Sequence, residues 1–195
     1  MCQFIESIRL KNGELFNLEL HQKRVEKTFL EFFPNSNAFD IKTTLQNIHL
    51  PENELYKIRI VYDSEIRTLE ILEYQKPNFS KYKCFHIPSD FNYDFKFANR
   101  QIFDQISKNT SKDTLAILVK NGLVCDSTFS NLIFEKSEKL FSPAKALLLG
   151  TQLQKLISER KIQLIDIAEN QIKDFDKIYF VNALNPLDAA SAILL

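Results

Sequence analysis

Residues 95–100 read FKFANR. Lys96 stands between two phenylalanines, and Asn99 and Arg100 follow at once. Lysine is among the residues least often fully buried. The ordinary reading is a stem lying over apolar surface with its ammonium in water. The sharper reading is an amine whose pKa is depressed by burial or by a nearby cation, which makes it a nucleophile. Phe95 and Phe97 could supply the burial and Arg100 the cation. The choice between the two depends on what the flanking sequence builds.

Upstream, residues 3–10 carry Phe4, Ile8 and Leu10 and predict a strand. Asn12-Gly13 is a strong hairpin turn, and residues 15–18 predict a short return strand. A helix is predicted over 20–33, with Val25, Phe29, Leu30 and Phe33 at helical spacing. Asp40 can N-cap a short helix with Ile41, Leu45 and Ile48 on one face. Residues 55–62 (LYKIRIVY) alternate, placing Tyr56, Ile58, Ile60 and Tyr62 on one face and Lys57, Arg59 and Val61 on the other. Residues 67–74 return. KPNFSKYK (76–83) is polar and proline-bearing, the best candidate for a boundary. Downstream, CFHIP, TLAILVK, SNLIFE, QLIDI and KIYFVN predict strands, and 100–109 and 151–160 predict helices. Asn121-Gly122 is a second hairpin signal. The class is α+β, in two halves: an N-terminal α+β subdomain over 1–78 and a C-terminal subdomain over 79–195.

The chain has 195 residues with 25 basic and 25 acidic side chains. A neutral balance argues against nucleic acid as the main partner. No apolar run approaches the roughly 18 residues of a membrane span, and the first residues lack a signal-peptide layout. Cys2, Cys84 and Cys125 show no paired spacing, as expected of free thiols in a reducing cytoplasm. His21, His49 and His86 lie far apart, and no metal site is expected.

Three further stretches can carry chemistry. In GLVCDSTFSNLIF (122–134), Asp126 is either a turn residue opening a bulged strand or a carboxylate held to pair with a cation. Gly150-Thr151 opens a helix, where backbone N–H groups and the helix dipole favour an anion. Arg24 follows His21 by three residues, so the two project from neighbouring helix faces. Surface exposure is one reading, and a bidentate phosphate clamp is the other.

Taken in order, these motifs resemble the fold type IV pyridoxal-phosphate enzymes, the class IV aminotransferase family. The likeness runs from FIESIRLKNGELFNLELHQKR to KIYFVNALNP. It implies two subdomains of the D-amino-acid aminotransferase-like architecture, the second a pseudo-barrel, with the active site between them and a homodimer as the assembly. It implies pyridoxal 5'-phosphate as cofactor. His21 and Arg24 match the family's H-x-x-R, whose arginine binds the cofactor phosphate. Lys96 falls where the Schiff-base lysine falls, and Lys96, Asn99 and Arg100 match the lyase form of that motif; the likeness puts Arg100 among the cofactor-binding residues. Asp126 falls on the acidic partner of the pyridine nitrogen, with Asn131 five residues on. Gly150 and Thr151 match the phosphate turn. Arg59 is implied for a substrate carboxylate, and Ala183 and Leu184 of NALNP for substrate contact.

The implied function is a cytoplasmic 4-amino-4-deoxychorismate lyase that releases 4-aminobenzoate and pyruvate for folate synthesis. The alternatives are an aminotransferase for branched-chain or D-amino acids, and a non-catalytic member of the family. The chain departs from the family pattern in three ways. Asp126 stands where the family has Glu, Leu153 stands where it often has Arg, and the front of the chain is short.

Overall fold

The structure, a computed structural model, describes residues 2–46 and 48–195. The chain forms two compact units. One comprises the chain up to Lys76 together with Phe95–Asn99; the other comprises Pro77–Asp94 and Arg100–Leu195. The sequence suggested one boundary between residues 78 and 79. The second crossing arises because Phe95–Asn99 adds to the first unit's sheet: Ile5 N donates to Lys96 O at 2.9 Å and Ala98 N to Gln3 O at 2.8 Å.

In the first unit, β1 (Phe4–Lys11) is followed by β2 (Glu14–Leu15), α1 (Leu18–Phe32), α2 (Ile41–Gln46), β3 (Leu55–Tyr62) and β4 (Ile66–Glu73). The sheet order is β2-β1-β3-β4. Asn12 and Gly13 both take positive φ (50° and 75°), as the tight hairpin turn requires. The return strand is shorter than predicted, because Asn17 turns left-handed (φ 57°) and α1 starts at Leu18. Asp40 accepts from Thr43 N at 2.5 Å and caps α2.

The alternation of β3 is realised. Ile58, Ile60 and Tyr62 are fully buried with Phe4, Ile8, Leu10, Val25 and Phe29. That face also contains one acid, because Glu6 pairs in register with Ile60 and lies under α1. Arg24 donates Nε to Glu6 Oε1 at 2.7 Å and Nη2 to Oε2 at 2.5 Å. His21 Nδ1 meets Oε2 at 2.5 Å. Burial alone would raise the Glu6 carboxyl, but Arg24 and His21 more than offset it and hold it at about 2. Burial pushes His21 down against the pull of Glu6, so its ring is neutral near pH 7 and Nδ1–H donates.

Both shifts are downward from the unfolded values, so the unfolded chain binds more protons on acidification and stability falls with pH. The loss is expected to begin below about 6.5 for His21 and to steepen between about 4.5 and about 2 for Glu6. Glu6 alone accounts for on the order of 3 kcal/mol. Urea midpoints measured from pH 7 to pH 3 check this; in Glu6→Gln the steep lower portion should flatten.

The second unit contains β5 (Lys81–His86), α3 (Gln101–Lys108), β6 (Thr114–Lys120), β7 (Leu123–Ser127), β8 (Asn131–Lys136), β9 (Lys139–Pro143), α4 (Thr151–Ser158), β10 (Gln163–Ile165), β11 (Lys177–Val181) and β12 (Ile193–Leu194). A three-stranded sheet runs β5-β6-β7 and a five-stranded sheet β10-β9-β8-β11-β12. β5 and β6 pair in parallel, as do β9 and β10. A crossover containing a helix, α3 or α4, joins each pair, as parallel neighbours require. Residues of both sheets share one core, among them Leu115, Ile117, Val124, Leu132, Phe134 and Phe180. Among the described residues no helix is long and apolar enough to cross a membrane.

Candidate active site

The candidate residues fall into two sets, one in each unit. The first contains Lys96, Arg24 and Arg59. Lys96 is half-buried rather than enclosed. Phe95 and Phe97 pack on the first unit's core and carry the lysine with them. Phe97 bridges Phe4 across the sheet edge, with ring centroids 5.2 Å apart. The backbone of Lys96 is thereby bonded to Ile5, the neighbour of Glu6. Its ammonium lies near enough to His21 to add to the lowering of that ring's pKa.

His21 and Arg24 do not sit on the surface. His21 is fully buried, and the Arg24 side chain is only 9% exposed. The sequence did not single out Glu6, the acid that holds both. The available signal was one carboxylate at a core position of an alternating strand, a placement that needs a cationic partner. Arg59 lies on the other face of β3, opposite Glu70 of β4, and its Nη1 meets Glu70 Oε2 at 3.0 Å.

The second set is built around a bulge. Between Ile117↔Ser127 and Val119↔Val124, the β6–β7 pairing slips, so Cys125 and Asp126 together face Leu118. Such a bulge re-aims a side chain, and here it buries the Asp126 carboxylate. Oδ1 accepts from Asn131 Nδ2 at 2.7 Å; Oδ2 accepts from Leu147 N at 2.8 Å and Leu148 N at 3.1 Å. Hydrogen bonding of this kind favours the charged form.

Asn131 then links the carboxylate to the helix start. Its Nδ2 also donates to Leu148 O at 2.8 Å, and its Oδ1 accepts from Gly150 N at 3.2 Å. A Cβ on residue 150 would sit well inside van der Waals distance of that Oδ1, which is why glycine stands there. Gly150→Ala is therefore expected to break the Asn131 bridge. It should cost about 1–3 kcal/mol of stability as overpacking and weaken cofactor binding, both readable from a thermal melt and a cofactor titration.

Thr151 opens α4. Its Oγ1 is buried and has no hydrogen-bond partner among the described residues. An orphan hydroxyl beside the unsatisfied first-turn N–H groups of a helix suits a phosphate. Leu153, at a position where the resemblance implied arginine, is fully buried with Ile133, Leu156, Tyr179 and Val181, so in this chain the position is core. Arg100, expected to act as a cation toward Lys96 and the cofactor, caps a loop of its own unit. It donates Nη2 to Thr128 O and Nη1 to Tyr93 Oη at 3.2 Å. Ala183 and Leu184 sit in a turn gathered by Asn182, whose Oδ1 accepts from Leu184 N, Asn185 N and Asn185 Nδ2.

Comparison with known proteins shows the family. The chain belongs to the amino-transferase class IV family, which it matches over residues 3–193, and is an enzyme of that family. It is 33% identical over 190 residues to an uncharacterized protein of Haemophilus influenzae, covering 96% of this chain and all of that one. A crystal structure of a candidate 4-amino-4-deoxychorismate lyase from Haemophilus somnus superposes with a TM-score of 0.88 at 26% identity, covering 96% of this chain and 98% of that one. An aminotransferase from Brucella abortus, bound to its cofactor PLP, superposes with a TM-score of 0.70 at 16% identity, covering 99% of this chain and 80% of that one.

Proposed function

We propose that the protein is a pyridoxal-phosphate-dependent 4-amino-4-deoxychorismate lyase, supplying 4-aminobenzoate for folate synthesis. The observation that carries this reading is the Asp126–Asn131–Gly150 bridge. It ties a buried carboxylate, which suits a ring nitrogen, to a helix start whose Thr151 hydroxyl suits a phosphate. Likeness to the Haemophilus somnus protein supports the choice of lyase.

The cofactor is pyridoxal 5'-phosphate; when bound, it supplies an electron sink for the bond-breaking step. Thr151 N–H and Thr151 Oγ1 would hold the phosphate at the turn that Gly150 opens, and the family likeness adds Arg24. Asp126 would keep the ring nitrogen protonated, a role suited to a carboxylate that accepts from Asn131 Nδ2, Leu147 N and Leu148 N. Lys96 Nζ would be the amine that joins the bound cofactor, and as a neutral amine it would serve as the base. Nζ takes the proton that the substrate ring loses as it becomes aromatic. The ring C–O bond to the enolpyruvyl group breaks, and Nζ returns the proton to the methylene carbon of that group, which leaves as pyruvate. No water is consumed. Arg59 binds a substrate carboxylate, and Ala183 and Leu184 line the turn against the substrate ring.

Purified protein loaded with cofactor and mixed with aminodeoxychorismate should release aminobenzoate and pyruvate in equal amounts. Bound cofactor without aminobenzoate would remove the lyase assignment. An aminotransferase would instead convert its cofactor to the amine form when given an amino acid alone. The lyase reading predicts an unchanged spectrum there. Assembly as a homodimer belongs to the same proposal and is read by sedimentation.

A further inference from the structure

We propose that Glu6 is a positioning residue that sets the guanidinium of Arg24 in the orientation that receives the cofactor phosphate. The proposal rests on the reading above that Arg24 binds that phosphate. Glu6 occupies a position where its strand neighbours Phe4 and Ile8 and its cross-strand partner Ile60 are all fully buried and apolar. An acid in such a place costs stability unless it is fully paired. Both oxygens of Glu6 are used. Oε1 takes Arg24 Nε, and Oε2 takes Arg24 Nη2 and His21 Nδ1.

The Glu6 pair occupies the Nε–Nη2 edge of the guanidinium. A guanidinium is a rigid planar fork with five N–H donors. Fixing one edge fixes the whole plane, and with it the directions in which the remaining N–H groups point. His21 stiffens the same carboxylate from α1, one helical turn before Arg24. The cluster adjoins the lysine segment, since Ile5, beside Glu6, donates its N–H to Lys96 O.

Two effects of removing the Glu6 charge oppose each other. Loss of the anion leaves Arg24 more attractive to a phosphate dianion. Loss of the second acceptor lets the fork turn, because the amide of a glutamine presents N–H where Glu6 presented an oxygen. The orientational effect is expected to win, since Arg24 is nearly buried and an unpaired buried guanidinium moves toward solvent.

The experiment measures binding without turnover. Pyridoxal 5'-phosphate and unphosphorylated pyridoxal are titrated separately into the wild type, Glu6→Gln, Glu6→Asp, Arg24→Gln and the double variant Glu6→Gln/Arg24→Gln, followed by absorbance. Glu6→Gln should weaken the phosphorylated cofactor by about 10-fold or more, the range seen when partners of binding ligands are removed elsewhere. Pyridoxal affinity should stay within about twofold, the scatter expected of independent sites. Glu6→Asp, which keeps the charge, should recover part of the loss, and Glu6→Gln should add nothing in the Arg24→Gln background. Equal loss for both ligands, or an additive double variant, would mean a structural role and overturn the proposal, as would unchanged or tighter phosphate binding. If Glu6→Gln does not fold, the Glu6→Asp ratio of the two affinities decides. Failure of the wild type to bind pyridoxal phosphate at all would sink the cofactor reading itself, a different result from any of these.

Discussion

Lys96→Ala is expected to reduce turnover by at least about 10³-fold, since on the proposed function it removes both the covalent anchor and the proton carrier. The fold should survive the change. Lys96 is half-buried, and what holds its segment to the sheet is backbone: Ile5 N to Lys96 O and Ala98 N to Gln3 O. Phe95 and Phe97 keep their apolar contacts in the variant. Thermal stability should therefore change little while activity collapses, and the separation of the two is the informative part. Borohydride reduction of the wild type should fix a pyridoxyl label on the peptide bearing Lys96, and the variant should take none. A label on any other lysine would dismantle the catalytic assignment, although cofactor held without a covalent bond could still colour the variant weakly.

Asp126→Asn is expected to act differently, damaging both fold and chemistry. The carboxylate accepts three bonds from fixed donors, two of them backbone N–H groups of Leu147 and Leu148. An amide offers one oxygen and turns an N–H₂ group toward a donor. A buried donor left facing a donor costs on the order of 2–4 kcal/mol, so the melting temperature should drop visibly. On the proposed function, the loss of negative charge also withdraws support for a protonated ring nitrogen. Turnover should fall by about 10²-fold or more even at temperatures where the variant is fully folded. Activity measured well below the melt separates the two effects, and wild-type turnover there would show that the carboxylate serves the fold alone.

Much of this was legible in the chain. The Asn12-Gly13 and Asn121-Gly122 hairpins, the alternating face of β3 and the helix after Gly150 follow from local chemistry, and the structure contains them. The Asp126–Asn131 pair and the Gly150 turn were legible only as separate motifs; the sequence does not say that one asparagine side chain joins them. β9 was not legible. Its hairpin turns at Ser137 and Glu138, which take positive φ (48° and 64°) without an Asn-Gly signal, and Asp176 ties the turn by accepting from Ser137 N. Tertiary contact stabilises there what the local sequence does not favour. Glu6 was hidden for a similar reason. Its core position in an alternating strand was the one local signal; its partners lie 15 and 18 residues away, so the pairing itself was not legible. The burial of Arg24 and Leu153 follows from the same long-range packing.

The return of Phe95–Asn99 to β1 bears on how the polypeptide can be made and cut. A ribosome that has finished residue 76 has not yet supplied the strip that covers the Gln3–Ile5 margin. Until some twenty more residues emerge, that margin exposes backbone groups able to recruit another chain, the usual hazard of an open strand edge. An isolated front fragment should therefore tend to clump, and a separable module would have to carry the 95–99 strip with it, grafted on by a short connector.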